Sequence, residues 1–282
     1  MSTTTKKSNW AALGEFRGGA QKFLQSNTLV AKFAIVILVL IGFVLLLRLG
    51  TEAIQWVLSP TKSPYLIRGR KQNTKELTTI PQNPADGANA ITLVRSANER
   101  YGIEFTYSTW IYISGLAYKS GSMRHIFSKG NGDVGSNGMM MPNNAPGLYL
   151  HPKKNSLVVV MNTYNSIDEE VVIDDIPLNK WLNVMIRVEG HILDVYINGT
   201  IAVRHKLQGV AKQNYGDVWV TANGGFDGEL ADLRYFDYAL NTTEIATIVD
   251  NGPDMSTDRP TQSTPVPHYF ALQWYFNNAT GR

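Results

Sequence analysis

The sequence predicts a mainly β protein, an antiparallel sandwich preceded by one N-terminal transmembrane helix. Three observations carry that expectation. A single uncharged apolar run fills residues 33–47, strand-type alternation dominates from Ile91 onward, and Asn-Gly pairs recur between the alternating segments. The 282 residues are 44% hydrophobic and 17% charged, which excludes a wholly disordered chain. The absence of cysteine excludes disulfide scaffolds, zinc fingers, Fe–S clusters and thiol nucleophiles.

Five segments follow in order. Residues 1–28 are basic, with Lys6, Lys7, Arg17 and Lys22 against Glu15. Trp10, Leu13, Phe16, Ala20, Phe23 and Leu24 recur at helical spacing there, so the segment reads as an amphipathic surface helix or as a solvated tail. Residues 29–58 form the expected transmembrane helix, with Lys32 and Arg48 near the ends of the apolar run and Trp56 beyond it as membrane-interface anchors. A cleaved signal peptide fits less well, because the run is long and no small-x-small site follows it. Basic residues lie on both sides of the span, so the positive-inside comparison fixes no orientation.

Residues 59–90 hold Pro60, Pro64, Pro81 and Pro84 among polar residues and are expected to be an extended linker. The body, 91–252, begins with the alternating run Phe105–Ile113 and continues through Leu157–Met161, Val171–Ile173, Trp181–Val188 and Leu193–Ile197. Asn-Gly pairs at 131–132, 137–138, 198–199 and 223–224 supply turn chemistry, and 192–203 around Asn198-Gly199 is the strongest hairpin. One helix is expected at Thr243–Asp250. Residues 253–282 are Pro-rich and then aromatic, with Tyr269-Phe270 and Trp274-Tyr275-Phe276, as either a last strand or a segment that docks on a partner.

Residues 91–282 carry fifteen Lys/Arg against nineteen Asp/Glu, so the body offers no basic stripe and no nucleic-acid partner is expected. No G-x-S-x-G, H-E-x-x-H or phosphate-cradling glycine loop occurs, and the five histidines lack metal-ligand spacing. Asp168-Glu169-Glu170 and Asp174-Asp175 bracket Val171–Ile173 and read as the acidic ends of a solvated strand. Trp110 and Trp181 alternate with polar residues and are read as core anchors in preference to sugar platforms.

The string Trp181–Val188 followed by Leu193–Gly199 resembles the core of concanavalin A-like, laminin-G-like jelly rolls. Gly225–Phe236 with Ala239-Leu240 and Glu244-Ile245 resembles that superfamily's closing strand and helix. Narrower strings, Ser96–Glu99, Gly102–Trp110, His125–Gly130, Ala145–Leu150 and Lys212–Val218, resemble membrane-anchored laminin-G-like proteins of large cytoplasmic DNA viruses of the chlorella-virus type. That resemblance implies a non-enzymatic virion membrane or minor capsid component, whose partners are the lipid bilayer and capsid or other virion membrane proteins. The alternative it leaves open is a membrane-tethered, lectin-like attachment protein that binds glycans. The glycosidases of this sandwich carry an E-x-D-x-x-E strand, which is missing here.

Laminin-G-like domains often bind Ca²⁺ and glycans at a loop rim. No cofactor is required by the sequence, but Asp133, Asn223 and Asp227 are oxygen donors of the type a hard cation takes. Asp133, Asn143, Asn144, Asn223 and Asp227 are therefore the candidate rim ligands or partner contacts. The loop 129–147 that holds the first three is otherwise a flexible surface loop, and its Met139–Met141 would suit an adaptable protein contact.

Overall fold

The computed structural model describes residues 28–58, 61–87, 89–97 and 99–257. The chain divides into two compact units, residues 1–59 and 60–282. The expectations for residues 1–27 and for the aromatic tail beyond Thr257 lie outside the described residues.

In the first unit, helix α1 spans Leu29–Leu58. Within it Leu29–Gln55 is long and apolar enough to cross a membrane, at 27 residues or about 40 Å. Its large side chains, Phe33, Leu38, Leu40, Phe43 and Leu46 among them, are exposed along the whole length. Lys32 stands exposed near one end. Arg48 pairs with Glu52 one turn on at 3.2 Å, and Thr51 Oγ1 donates to the Arg48 carbonyl at 2.8 Å. Trp56 falls in the last turn of α1, and its side chain lies outside the described atoms.

The second unit holds two six-stranded antiparallel sheets. The first runs in the order β1 (Arg70–Lys71), β14 (Gly228–Phe236), β3 (Glu104–Ile113), β10 (Trp181–Glu189), β11 (Ile192–Ile197), β12 (Thr200–Lys206). The second runs β2 (Thr78–Ile80), β13 (Asp217–Val220), β4 (Arg124–Gly130), β7 (Asn144–Leu150), β8 (Ser156–Met161), β9 (Glu169–Asp174). A small ribbon pairs β5 (Asp133–Val134) with β6 (Met140–Met141). The strand period of two sends Phe105, Tyr107, Ile111 and Val184, Ile186, Val188 from the first sheet onto Leu148, Leu157, Val159, Val218 and Val220 of the second. Tyr107 is central, stacked on Phe127 at 5.5 Å and tilted against Tyr235 at 5.0 Å.

The hairpin of β11 and β12 forms as its sequence predicts. Asn198 (φ 47°) and Gly199 (φ 80°) take the two positive-φ positions of the turn, and Asn198 Oδ1 also accepts from the Asn183 N–H at 2.9 Å. The Asn223-Gly224 pair is likewise left-handed at both residues (φ 51° and 73°). Asn131-Gly132 is not left-handed at either residue, and Gly132 lies so close to Trp219 that a Cβ there would meet its ring at 2.4 Å.

Residues 61–87 depart from the linker expected over 59–90. Leu66, Ile67 and Ile80 are buried in the core, β1 pairs with β14, and β2 pairs with β13. The segment thus supplies one edge strand to each sheet, which is where short, proline-flanked strands are tolerated. Thr74 Oγ1 donates to the Phe226 carbonyl at 2.8 Å, and the chain passes so close that a Cβ on Gly225 (φ 53°) would sit 1.9 Å from the Thr74 carbonyl oxygen. The acidic strand is corrected in one place. β9 alternates buried and exposed, but Glu169 is on the buried side, bonded to His205 Nε2 at 2.8 Å and to the Gln208 N–H at 2.9 Å.

Helix α2, Thr242–Asn251, lies on the outer face of the first sheet, where Ile245 joins Met185, Tyr196, Phe236 and Leu240. Its N-terminus is closed by a capping box. Asn241 Oδ1 accepts from the Glu244 N–H, and Glu244 Oε2 accepts from the Asn241 N–H, both at 2.9 Å. Asn241→Ala is expected to cost about 1 kcal/mol, read as a lower denaturation midpoint with an unchanged slope.

Candidate functional site

The outer face of the first sheet is covered in part by α2, while residues 62–65 run along the edge of β14 and turn the Tyr65 ring beside Arg234, and a cleft remains between them. Strand alternation that points Phe105, Tyr107 and Ile111 inward turns Ser108 and Trp110 outward as the cleft floor. Trp110 is 7% exposed, so it is buried as expected but on the outer face instead of between the sheets. Trp181 is half-buried on that same outer side, its ring 5.8 Å from Tyr112.

One wall comes from β14, whose register shifts between Ala231 and Arg234. Such a bulge re-aims side chains. Asp232 (φ 49°) is turned so that its carboxylate accepts from the Gly69 N–H at 3.0 Å and the Asp254 N–H at 2.7 Å. Arg234 lies between two rings, 4.6 Å from the Tyr65 centroid and 4.7 Å from that of Phe236. Its Nε donates to the Ser63 carbonyl at 3.1 Å, Nη2 to Ser63 Oγ at 3.2 Å, and Nη1 to the Tyr65 hydroxyl at 3.4 Å. The other wall is the C-terminal end of α2, where Ile248, Asn251 and Gly252 face the floor across a volume of about 90 Å³. Sequence reasoning singled out Trp110 here and missed Tyr65, Asp232, Arg234 and Asn251.

The predicted rim residues have partners of their own, loop by loop. Asp133 is exposed on β5. Asn143 bridges two other asparagines, donating to Asn131 Oδ1 at 2.9 Å and accepting from Asn162 Nδ2 at 2.6 Å. Asn144 is fully buried, its Nδ2 donating to the Met140 carbonyl at 2.8 Å and its Oδ1 accepting from the Tyr149 hydroxyl. Asn223 and Asp227 share the β13–β14 loop, where lysines already face them. Lys119 Nζ donates to the Asn223 carbonyl, and Lys75 Nζ is 3.6 Å from Asp227 Oδ1. Among the described residues no group of three or more His, Cys, Asp or Glu is placed to hold a metal ion.

The methionine loop is also different from its expectation. Met139 and Met140 are 2% and 1% exposed, packed with Met123 on Tyr149, Val158 and Val160 of the second sheet's outer face. This cover explains why β8 is buried on both faces. Beneath it lies a serine–histidine pair that resembles a nucleophile and its base, with His125 Nε2 2.9 Å from Ser128 Oγ. Its tautomer is the wrong one for that chemistry. The Ala222 N–H donates to His125 Nδ1 at 3.0 Å, so the ring proton sits on Nε2 and is given to the serine oxygen. Burial holds His125 neutral, with its pKa lowered to about 3, and neither side chain reaches solvent.

Two further buried groups depart from their usual charge behaviour. Burial lowers the Lys129 amine to about 8, although Asp217 partly opposes the shift, and Nζ donates to the Gly216 carbonyl at 2.8 Å. Burial raises the Asp168 carboxyl.

Comparison with known proteins places the fold. A family model described as the concanavalin A-like lectin/glucanases superfamily, of laminin-G type, matches residues 85–246. Similar solved structures include the ligand-binding domain of botulinum neurotoxin serotype D in complex with N-acetylneuraminic acid, 14% identical over 67% of this chain and 46% of that chain, with a TM-score of 0.48. The serotype G binding domain is 12% identical over 65% of this chain and 46% of that one, TM-score 0.42. The binding domain of botulinum neurotoxin DC in complex with rat synaptotagmin II is 19% identical over 55% of this chain and 37% of that one, TM-score 0.41. The chain spans less than half the length of each of these toxin chains. No curated protein matches it.

Proposed function

The chain belongs to the concanavalin A-like lectin/glucanases superfamily, and from that premise we propose that it is a non-enzymatic, single-pass membrane protein whose sandwich is a binding module. The observation that carries this reading is the apolar helix Leu29–Gln55, its side chains exposed, in one chain with a superfamily sandwich. The interfacial anchors are Lys32 and Arg48, whose stems can lie along the helix while their charges reach headgroups, and Trp56 beyond them. The His125–Ser128 tautomer and the consumption of Glu169 by His205 and Gln208 support binding over catalysis.

The setting we propose is the membrane of a large DNA virus particle, with the sandwich contacting the capsid shell or other virion proteins. Support comes from the strings at 96–110, 125–130, 145–150 and 212–218 and their resemblance to the membrane-anchored proteins of such viruses. In purified particles, mild detergent that removes lipid is expected to leave the protein bound to the shell. Complete loss with the lipid would overturn the capsid contact.

A second reading, a membrane-tethered glycan-binding attachment protein, is favoured by the Trp110 cleft. Aromatic surface beside fixed polar groups is the composition of a small-ligand site. Calcium plays no part in this reading at Asn223 and Asp227, where Lys119 and Lys75 already supply positive charge.

A further inference from the structure

We propose that the cleft between β3, β14 and the end of α2 binds one terminal, neutral hexopyranose residue of a glycan, with Asp232 and Arg234 reading its hydroxyl groups above a floor of Ser108 and Trp110. This inference rests on the glycan-binding reading and gives it a site.

A cleft volume of about 90 Å³ is more than a single ordered water needs and well below the ~300 Å³ at which sites for drug-sized ligands begin. A cleft of this size holds the edge of one ring with the rest of that ring at its open mouth, and it has no room for the interior of a long chain.

Asp232 presents a carboxylate whose direction is fixed by the two backbone N–H groups it accepts, so its remaining lone pairs are stationary acceptors. Arg234 has committed three of its N–H groups, one on each nitrogen, to Ser63 and Tyr65 and keeps two. The rings of Tyr65 and Phe236 on either side hold the guanidinium in place. A sugar hydroxyl both donates and accepts, so a pair of neighbouring hydroxyls can give a proton to Asp232 and take one from Arg234. A free carboxylate or phosphate ligand would satisfy Arg234 but face Asp232 with like charge. An apolar ligand would leave both groups without partners.

Neither polar wall has to be ordered on binding, since both are already held by the protein, and that preorganisation lowers the entropic cost of capture. Asn251, exposed at the rim, adds a further amide for a third hydroxyl.

The test uses the full chain in detergent micelles on an array of oligosaccharides ending in glucose, galactose, mannose or N-acetylneuraminic acid, followed by titration with the matching methyl hexosides. Retention of at least one neutral-hexose terminus is expected. Asn251→Ala and Arg234→Lys are each expected to weaken it at least tenfold at an unchanged melting temperature. Asn251→Ala alone suffices if Arg234→Lys does not fold, because its side chain lies at the exposed rim. Retention of acidic termini alone would overturn the proposal. Retention of neutral termini at wild-type strength by Asn251→Ala would overturn this site while leaving the glycan reading standing, and no retention of any glycan would overturn both.

Discussion

Deleting residues 29–55 is expected to move the protein from the membrane pellet into the supernatant after alkaline carbonate washing, whereas the intact chain stays in the pellet. The uncharged run 33–47 presents an apolar surface about 22 Å long, and the whole helical stretch Leu29–Gln55 reaches about 40 Å. Each buried methylene contributes ~0.8 kcal/mol to membrane partition, so several leucines already exceed what a reversible surface contact supplies. A cleaved signal sequence would also be apolar and N-terminal, and mass spectrometry separates the two. The pelleted protein is expected to retain residues 29–58. Recovery of a chain that begins after Leu58 would replace the anchor by a leader, and pelleting of the deletion variant would place the membrane contact elsewhere.

Acid is expected to destabilise the sandwich through His125, and His125→Gln is expected to remove that component. The ring is fully buried, receives an N–H at Nδ1 and gives one from Nε2, so a second ring proton has no acceptor and no water. Desolvation lowers its pKa to about 3, against ~6.5 in an unfolded chain. Between those values the unfolded chain binds a proton that the folded one refuses. Stability from this group is therefore complete above pH ~6.5 and is lost as pH falls toward 3, at up to ~1.4 kcal/mol per pH unit.

Glutamine can accept from Ala222 and donate to Ser128 without titrating, so it keeps the bonds and drops the slope. At pH 7.5 the variant is expected to be less stable by about 1–3 kcal/mol, because the amide repacks imperfectly against Tyr149. By pH 4.5 the difference is expected to close or reverse. Glu104, Asp168 and Asp237, whose carboxyls burial raises, act in the opposite direction and are common to both proteins. Denaturant midpoints measured from pH 7.5 to 4 check this, and parallel curves would show that His125 carries no acid penalty.

What was legible in the sequence is what local chemistry determines. The Asn198-Gly199 turn, its flanking strands and the capped helix after Asn241 each carry their signal within a few residues. The segment 59–90 carries none, because Leu66, Ile67 and Ile80 are isolated apolar residues without a period. Their backbone and core partners, Leu233 and Val218 among them, lie far along the chain. Alternation also states which residues share a face but not which face is the core. Trp110 shares its face with Ser108, while Tyr107 and Ile111 face the other sheet, so the tryptophan lands under a helix.

The candidate site was less legible for the same reason. Asp232 and Arg234 reach the cleft through a bulge in β14, and Tyr65 arrives from a segment that reads as linker. The asparagines and methionines of the 129–147 loop look available in sequence. In the fold the buried Tyr149 hydroxyl claims Asn144, and the apolar outer face of β8 claims Met139 and Met140.

The most direct test of a membrane-held sandwich lying against a capsid shell is protease protection of residues 61–257 in intact purified particles. These residues are expected to stay whole until the shell is opened and to be cut afterwards. Cleavage in intact particles would contradict it and place the sandwich on the outer surface.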